Sequence, residues 1–328
     1  LSLCPASFDV ERLSMPPIID HLALLHAHAR DSHLVFEAEG HAYHWNGKRV
    51  TTSVTALIHS RGKPFEPDCV ISCMRSSANW PRIGYVRPHF PLNVLEDVAR
   101  WPNSQPLLEV LRQTPVDDHA VCHAVRTFQQ ASPSFRTLPD LVSLDNAGIR
   151  AKWAQLGRVG AARGTLMHAQ LECLLNGGSV PTHHLEVAKF LNFMSSDVMT
   201  DLEAFRTEWT IYAQDEDVAG SIDFVARSRV DFSWVLFDWK RTRQLRSKAE
   251  AYGRCMQDPV ASVPDAVLRQ YRLQLNLYKV ILEKYYGGVV SRMFIVCLHP
   301  ESDTFVDPVP DMQAEAQSLL RWHQCEQG

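Results

Sequence analysis

Residues 204–240, "AFRTEWTIYAQDEDVAGSIDFVARSRVDFSWVLFDWK", decide the fold. The opening stretch, through Ala213, alternates apolar and polar side chains, the period of a half-buried strand. "QDED" then turns, "VAGSIDFVARS" returns as a second strand, and "SWVLFDWK" makes a third. Upstream, "LDNAGIRAKWAQLG" predicts a helix capped near Asp145 and ended near Gly157. "VGAARGTLMHAQLECLLNGG" predicts a second helix, stopped by Gly177 and Gly178, and a third lies near 183–199. Downstream come a helix at about 265–285, a buried fourth strand in "VSRMFIVCLHP", and a closing helix at 311–325. Helices, a meander, a helix and a strand predict an α/β fold, with one mixed sheet of about four strands flanked by helices.

Further out, residues 33–58 carry Asn46-Gly47 between aromatic and β-branched residues, the signal of a tight hairpin. Ser53 or Thr55 follows as the cap of a short helix through Ile58. Ten of the nineteen prolines fall in residues 60–140, so short helices at 94–100 and 117–129 are expected there, joined by irregular loops. The organisation read from the chain is an N-terminal segment at 1–60, a proline-rich accessory region at 61–143, and a core at 144–328.

The composition excludes little. Net charge is -4, so binding to nucleic acid has to rest on local charge rather than on the total. The eight cysteines are dispersed with no C-x-x-C pair, which points to free thiols and an intracellular, reducing setting. No apolar run reaches membrane-spanning length and no secretory signal is visible, though the chain begins with Leu1 and not Met.

On a strand, residues i and i+2 face the same side. Asp238 and Lys240 therefore point together with Trp239 opposite, and Ser221, Asp223 and Val225 share a face one strand back. If those strands pair, Asp223 and Asp238 converge, and two such carboxylates repel unless a cation joins them. Oxygen ligands favour Mg²⁺ or Mn²⁺. The plain alternative is an Asp–Lys ion pair at a strand end. His168 and Glu172 share a helix face, one turn after Gly164. Glu208 is either a supporting carboxylate or a solvated strand residue. Gln274 and Tyr278 share a face of the late helix, which would otherwise read as an ordinary amphipathic one. Across residues 240–254, Lys240, Arg241, Arg243, Arg246, Lys248 and Arg254 stand against Glu250 alone, a basic run suited to phosphate.

In order, G-x-x-x-H-x-x-x-E at 164–172, G-x-x-D at 220–223, D-x-K at 238–240 and Q-x-x-x-Y at 274–278 resemble the PD-(D/E)XK nuclease superfamily. The pattern is similar to the RecB-type branch, which holds the CRISPR-associated RecB-like nucleases and the mitochondrial genome maintenance exonuclease. The resemblance covers about residues 145–300. It implies a restriction-endonuclease-like core and a deoxyribonuclease using Mg²⁺ or Mn²⁺ on single strands or ends of DNA, or on RNA. It implies that His168, Asp223, Asp238 and the carbonyl of Trp239 hold the metal and that Lys240 activates water. It gives Glu172 a place in the site, and it implies nucleic-acid contacts from Gln274, Tyr278, Arg241, Arg243 and Arg246. The product would carry a 5′-phosphate. Only Cys297 and Cys325 follow the Q-x-x-x-Y helix, so no iron–sulfur cluster is expected. The alternative is an inactive module of the same fold that only binds nucleic acid. A zinc site in "DDHAVCH" is a further rival, set back because Asp118, His119, Cys122 and His123 lie on one helix and cannot surround an ion unaided.

Overall fold

The computed structural model describes residues 20–181, 183–243, 245 and 254–327. They divide into two compact units, one of Leu1–Lys63 with Ala162–Gly328 and one of Pro64–Ala161.

In the first unit, helix α1 (His21–Leu25) precedes a small antiparallel sheet of β1 (Leu34–Glu37), β2 (Ala42–Trp45) and β3 (Lys48–Arg49). Asn46 and Gly47 connect the last two with positive φ angles of 50° and 78°, the backbone that a tight hairpin turn with the right strand twist requires. Strand β4 (Thr52–Ser53) runs directly into α2 (Val54–Arg61), whose first turn is capped by Ser53 Oγ accepting from Ala56 N–H at 3.1 Å.

In the second unit, α3 (Pro67–Arg75), α4 (Leu92–Ala99), α5 (Gln105–Leu111), α6 (Asp118–Ala131) and α7 (Leu138–Val142) precede the start of α8 (Asn146–Leu175). Leu107, Leu108, Val121, Val125, Phe128 and Val142 form its core. Three of these helices, α3, α5 and α7, were expected as irregular loop. Each carries proline in its first turn, where the missing N–H costs nothing, so these prolines start helices here instead of marking loops. The two helices expected across 145–178 are one, α8, because nothing at Gly157 turns the chain.

The remaining elements return to the first unit: α9 (Leu185–Met194), β5 (Leu202–Ala213), β6 (Val218–Ser228), β7 (Trp234–Lys240), α10 (Val267–Tyr285), β8 (Val290–Cys297), β9 (Phe305–Pro308) and α11 (Gln313–Gln327). They complete a six-stranded mixed sheet in the order β4-β6-β7-β8-β9, with β5 paired to β6. The two strands beyond the expected four are the short pieces β4 and β9, too brief to show a period in sequence. β5, β6 and β7 run antiparallel to one another in turn, and β7 pairs β8 in parallel.

Both sheet faces are covered. Phe224, Phe237 and Trp239 pack with Met167 and Leu171 of α8 and Phe190 and Phe193 of α9. Leu236 and Val225 point the other way, into the core built with α2, α10 and α11. Burial of each such aromatic or aliphatic side chain stabilises the fold by about 1.5–3 kcal/mol. Trp239, 1% exposed, lies parallel to Phe224 and Phe237 and edge-on to Phe190, so it fixes the end of β7 from behind. Asp238 and Lys240 consequently emerge on the α10 side.

Candidate functional site

The β6–β7 ladder pairs Phe224 with Phe237 and goes no further towards the end of β7. One more step in that register would set Asp223 opposite Asp238. In place of a ladder bond, Asp223 Oδ2 accepts the Trp239 N–H at 2.7 Å. On the other flank of β6, Thr207 opposes Phe224 and Trp209 opposes Ile222, so Glu208 lies across from Asp223. Glu208, Asp223 and Asp238 thus form a row across three adjacent strands. Glu208 has a positive φ of 42° inside β5, a left-handed backbone that costs a non-glycine residue on the order of 1–3 kcal/mol. Its carboxylate accepts from Ser221 Oγ at 3.3 Å, on the face that Ser221 shares with Asp223.

His168 meets this row from α8. Its Nε2–H donates to the Trp239 carbonyl at 3.1 Å, which turns Nδ1 to within 3.5 Å of Glu208 Oε1 and 3.7 Å of Asp223 Oδ2. These ligand atoms all lie within 4.8 Å of one another, and among the described residues no other group of three such side chains comes together. Ligands about 2.0–2.2 Å from one ion stand about 3 Å apart at right angles and about 4.2 Å apart when opposed. The 3.5 and 3.7 Å separations from His168 lie in that range, so the group could hold a divalent cation. The second imidazole nitrogen bound to a backbone carbonyl is the usual way a ligating histidine is oriented.

The electrostatics match a site short of positive charge. Burial alone would lower the His168 pKa, but the Asp223 and Glu208 carboxylates override it and hold it at about 9. Burial pushes Asp223 above the usual carboxylate range despite the nearby cations His168 and Lys240. It pushes Asp238 up as well, against the pull of Lys240. Lys240 Nζ sits 2.8 Å from Asp238 Oδ1 and 2.7 Å from Oδ2, and the Asp238 and Asp223 carboxylates outweigh burial and keep the ammonium charged. Glu172 is pushed up to about 7, first by burial and then by Glu208 and Asp20. It stands beside the row without belonging to the three-ligand group.

The structure places the expected residues unequally. Asp238, expected among the metal ligands, pairs with Lys240, and Glu208 is the carboxylate that stands with His168 and Asp223 in the close group. The Trp239 carbonyl, also expected to face the metal, accepts from His168 and so orients that imidazole. Gln274 and Tyr278 are 8% and 3% exposed and hydrogen-bond each other at 3.0 Å, so they lie under the site and offer little surface to nucleic acid. Tyr278 also explains the glycine of G-x-x-D, since a Cβ on Gly220 would stand 2.6 Å from its ring. Arg241 is held by Glu186 at 2.7 Å with 10% of its side chain exposed, which removes it from the basic run. Arg243 is exposed and stands 3.1 Å from Glu301, while Arg246 and Lys248 lie outside the described residues. In the rival zinc segment, Cys122 is buried and Asp118 accepts from Gly84 N–H at 2.5 Å, while His119 and His123 stay outside the core, so the four do not converge.

Sequence reasoning left Glu208 undecided and missed two aromatics. Tyr43 of β2 is buried, and its hydroxyl is pushed up to about 12 by burial and then by Glu208 and Asp223. Tyr271 of α10 lies with its ring 4.6 Å from Lys240 Nζ. The signal for Tyr271 was its spacing of three and seven residues before Gln274 and Tyr278, which puts it on the same helix face. Compared with known protein families and with curated proteins, the chain matches none.

Proposed function

We propose that this chain is a divalent-metal-dependent nuclease of the PD-(D/E)XK kind, built on a restriction-endonuclease-like core and hydrolysing phosphodiester bonds of DNA. What carries this proposal is the row of three carboxylates on β5, β6 and β7, met by a histidine on one side and a half-buried lysine on the other. One imidazole nitrogen with carboxylate oxygens suits Mn²⁺ or Mg²⁺, the nitrogen shifting the preference towards Mn²⁺.

His168 Nδ1, Glu208 and Asp223 would hold the ion, with His168 giving up its Nδ1 proton to do so. The bound ion supplies Lewis-acid charge to the phosphate and lowers the pKa of a water. The rest falls to the protein. The Trp239 N–H fixes the orientation of Asp223, and the Trp239 carbonyl fixes His168. Asp238 holds the Lys240 ammonium charged beside the row, where it offsets negative charge building on the phosphate in the transition state. Linear and closed-circular DNA, single- and double-stranded, and RNA should be offered to the purified protein with Mn²⁺, Mg²⁺ or chelator. Cleavage is expected with either ion, leaving 5′-phosphates, and is expected to disappear in chelator and in Asp223→Asn. Undiminished cleavage in chelator would falsify the proposal. Metal-dependent binding without cleavage would favour a module that only binds nucleic acid.

A further inference from the structure

Lys240 carries its charge on a flexible four-carbon stem, and a compact ammonium has no directional preference of its own. An effective position for it has to be imposed by its surroundings. Asp238, two residues earlier on the same strand, supplies one constraint at 2.7–2.8 Å. An ammonium so closely matched by a carboxylate is largely neutralised, so the ion pair fixes the lysine and also masks its charge. A second constraint comes from α10, where the face of the Tyr271 ring lies 4.6 Å from Nζ. Tyr271 is partly buried against the core shared by α10 and the sheet, so its ring is held in place. A ring face attracts a cation through its quadrupole without cancelling the charge and without a proton to exchange. The lysine side chain is 18% exposed, and its head lies against both the ring and the carboxylate.

We infer that Tyr271 is a positioning residue for Lys240: together with Asp238 its ring keeps the ammonium at the carboxylate row, where the charge reaches the phosphate. This rests on the nuclease proposal for its consequence but not for its geometry. The ring face, not the hydroxyl, is the working part.

The test replaces Tyr271 with Phe, with phenylalanines carrying one, two and three ring fluorines, and with Leu, each alone and Leu also with Lys240→Met. Single-turnover cleavage is followed at saturating and sub-saturating DNA. Phe is expected within about threefold of the parent, and the fluorinated series should slow stepwise as the ring face loses negative charge, to about tenfold for Leu. The loss should fall on kcat with KM within about twofold, and Tyr271→Leu should add nothing to Lys240→Met. A flat fluorine series, or losses that add to Lys240→Met, would overturn the inference. If the parent cleaves no nucleic acid, the nuclease proposal fails and the contact is judged separately. The Lys240 Cε protons should be shifted upfield by the ring in the NMR spectra of the parent and Tyr271→Phe, and the shift should be lost in Tyr271→Leu. The same Cε shift in all three would overturn it.

Discussion

Glu208 concentrates the site's cost in one residue. A left-handed glutamate inside a strand is offset by the rest of the fold, and that backbone places its side chain. Glu208→Gly should therefore leave the melting temperature unchanged or raise it, with about 1 kcal/mol of relieved strain, while divalent binding in calorimetric titration is lost. Under the nuclease proposal, Asp238→Asn should do the opposite to function: binding of Mn²⁺ stays within a few-fold of the parent and cleavage falls, because the pair with Lys240 is lost. Equal loss of binding in both variants would place Asp238 in the ligand set. A second carboxylate, Asp31, works for stability. Burial pushes it up, but the Arg206 guanidinium and the N–H groups of His28 and Trp209 outweigh burial and hold it below its ordinary value. A depressed carboxyl pKa contributes stability that is present above the unfolded value, near 3.9, and is lost as pH falls through the folded one. Asp31→Asn should cost about 1–3 kcal/mol at pH 7, with the deficit shrinking below about pH 4 in denaturant titrations. A deficit constant from pH 7 to pH 2 would show that charge is not the reason.

At the scale of elements, α8 is the clearest departure from expectation. Gly157 and Gly160 lie inside an unbroken helix, are exposed, and have open space where a Cβ would stand. Helical glycine is worse than alanine by about 0.5–1 kcal/mol for entropic reasons. Gly157→Ala and Gly160→Ala should each stabilise the protein by about that much and leave cleavage untouched. Destabilisation would mean that the chain bends there. Gly220 in β6 contrasts with them, because the Tyr278 ring occupies the space and no side chain fits without displacing α10.

For the whole molecule, a ligand that binds only the folded state stabilises it by mass action. Free Mn²⁺ at one hundred times its dissociation constant should add about 2.7 kcal/mol, raising the melting temperature of the parent in scanning calorimetry. Asp223→Asn should show no such rise, and an equal rise in both would place the ion elsewhere. The described cysteines are free thiols, and Cys297 is pushed up to about 12 by burial and then by Asp238. No helix among the described residues is long and apolar enough to cross a membrane.

Local rules make several features legible in the bare chain. Alternation puts Trp239 into the core and Asp238 with Lys240 on one side, Asn46-Gly47 marks its turn, and Ser53 its cap, because each depends on neighbours within a few residues. The spacing of His168 and Glu172 sets them on one helix face for the same reason. Tertiary structure decided what those residues meet. That Glu208 lies across from Asp223 follows from strand register and a strained backbone, and alternation alone carries no register. Arg241 leaves the basic run because Glu186, 55 residues away, holds it, and Lys240 gains Tyr271 from another element. Prolines that read as loops became helix starts once cores existed for those helices to bury against, Ile71 of α3 in one with Trp80 and Ile149, and α5 and α7 in another. Period and capping are short-range and survive in the amino-acid sequence; register, burial and charge pairing arise between distant segments and exist only once the chain has packed.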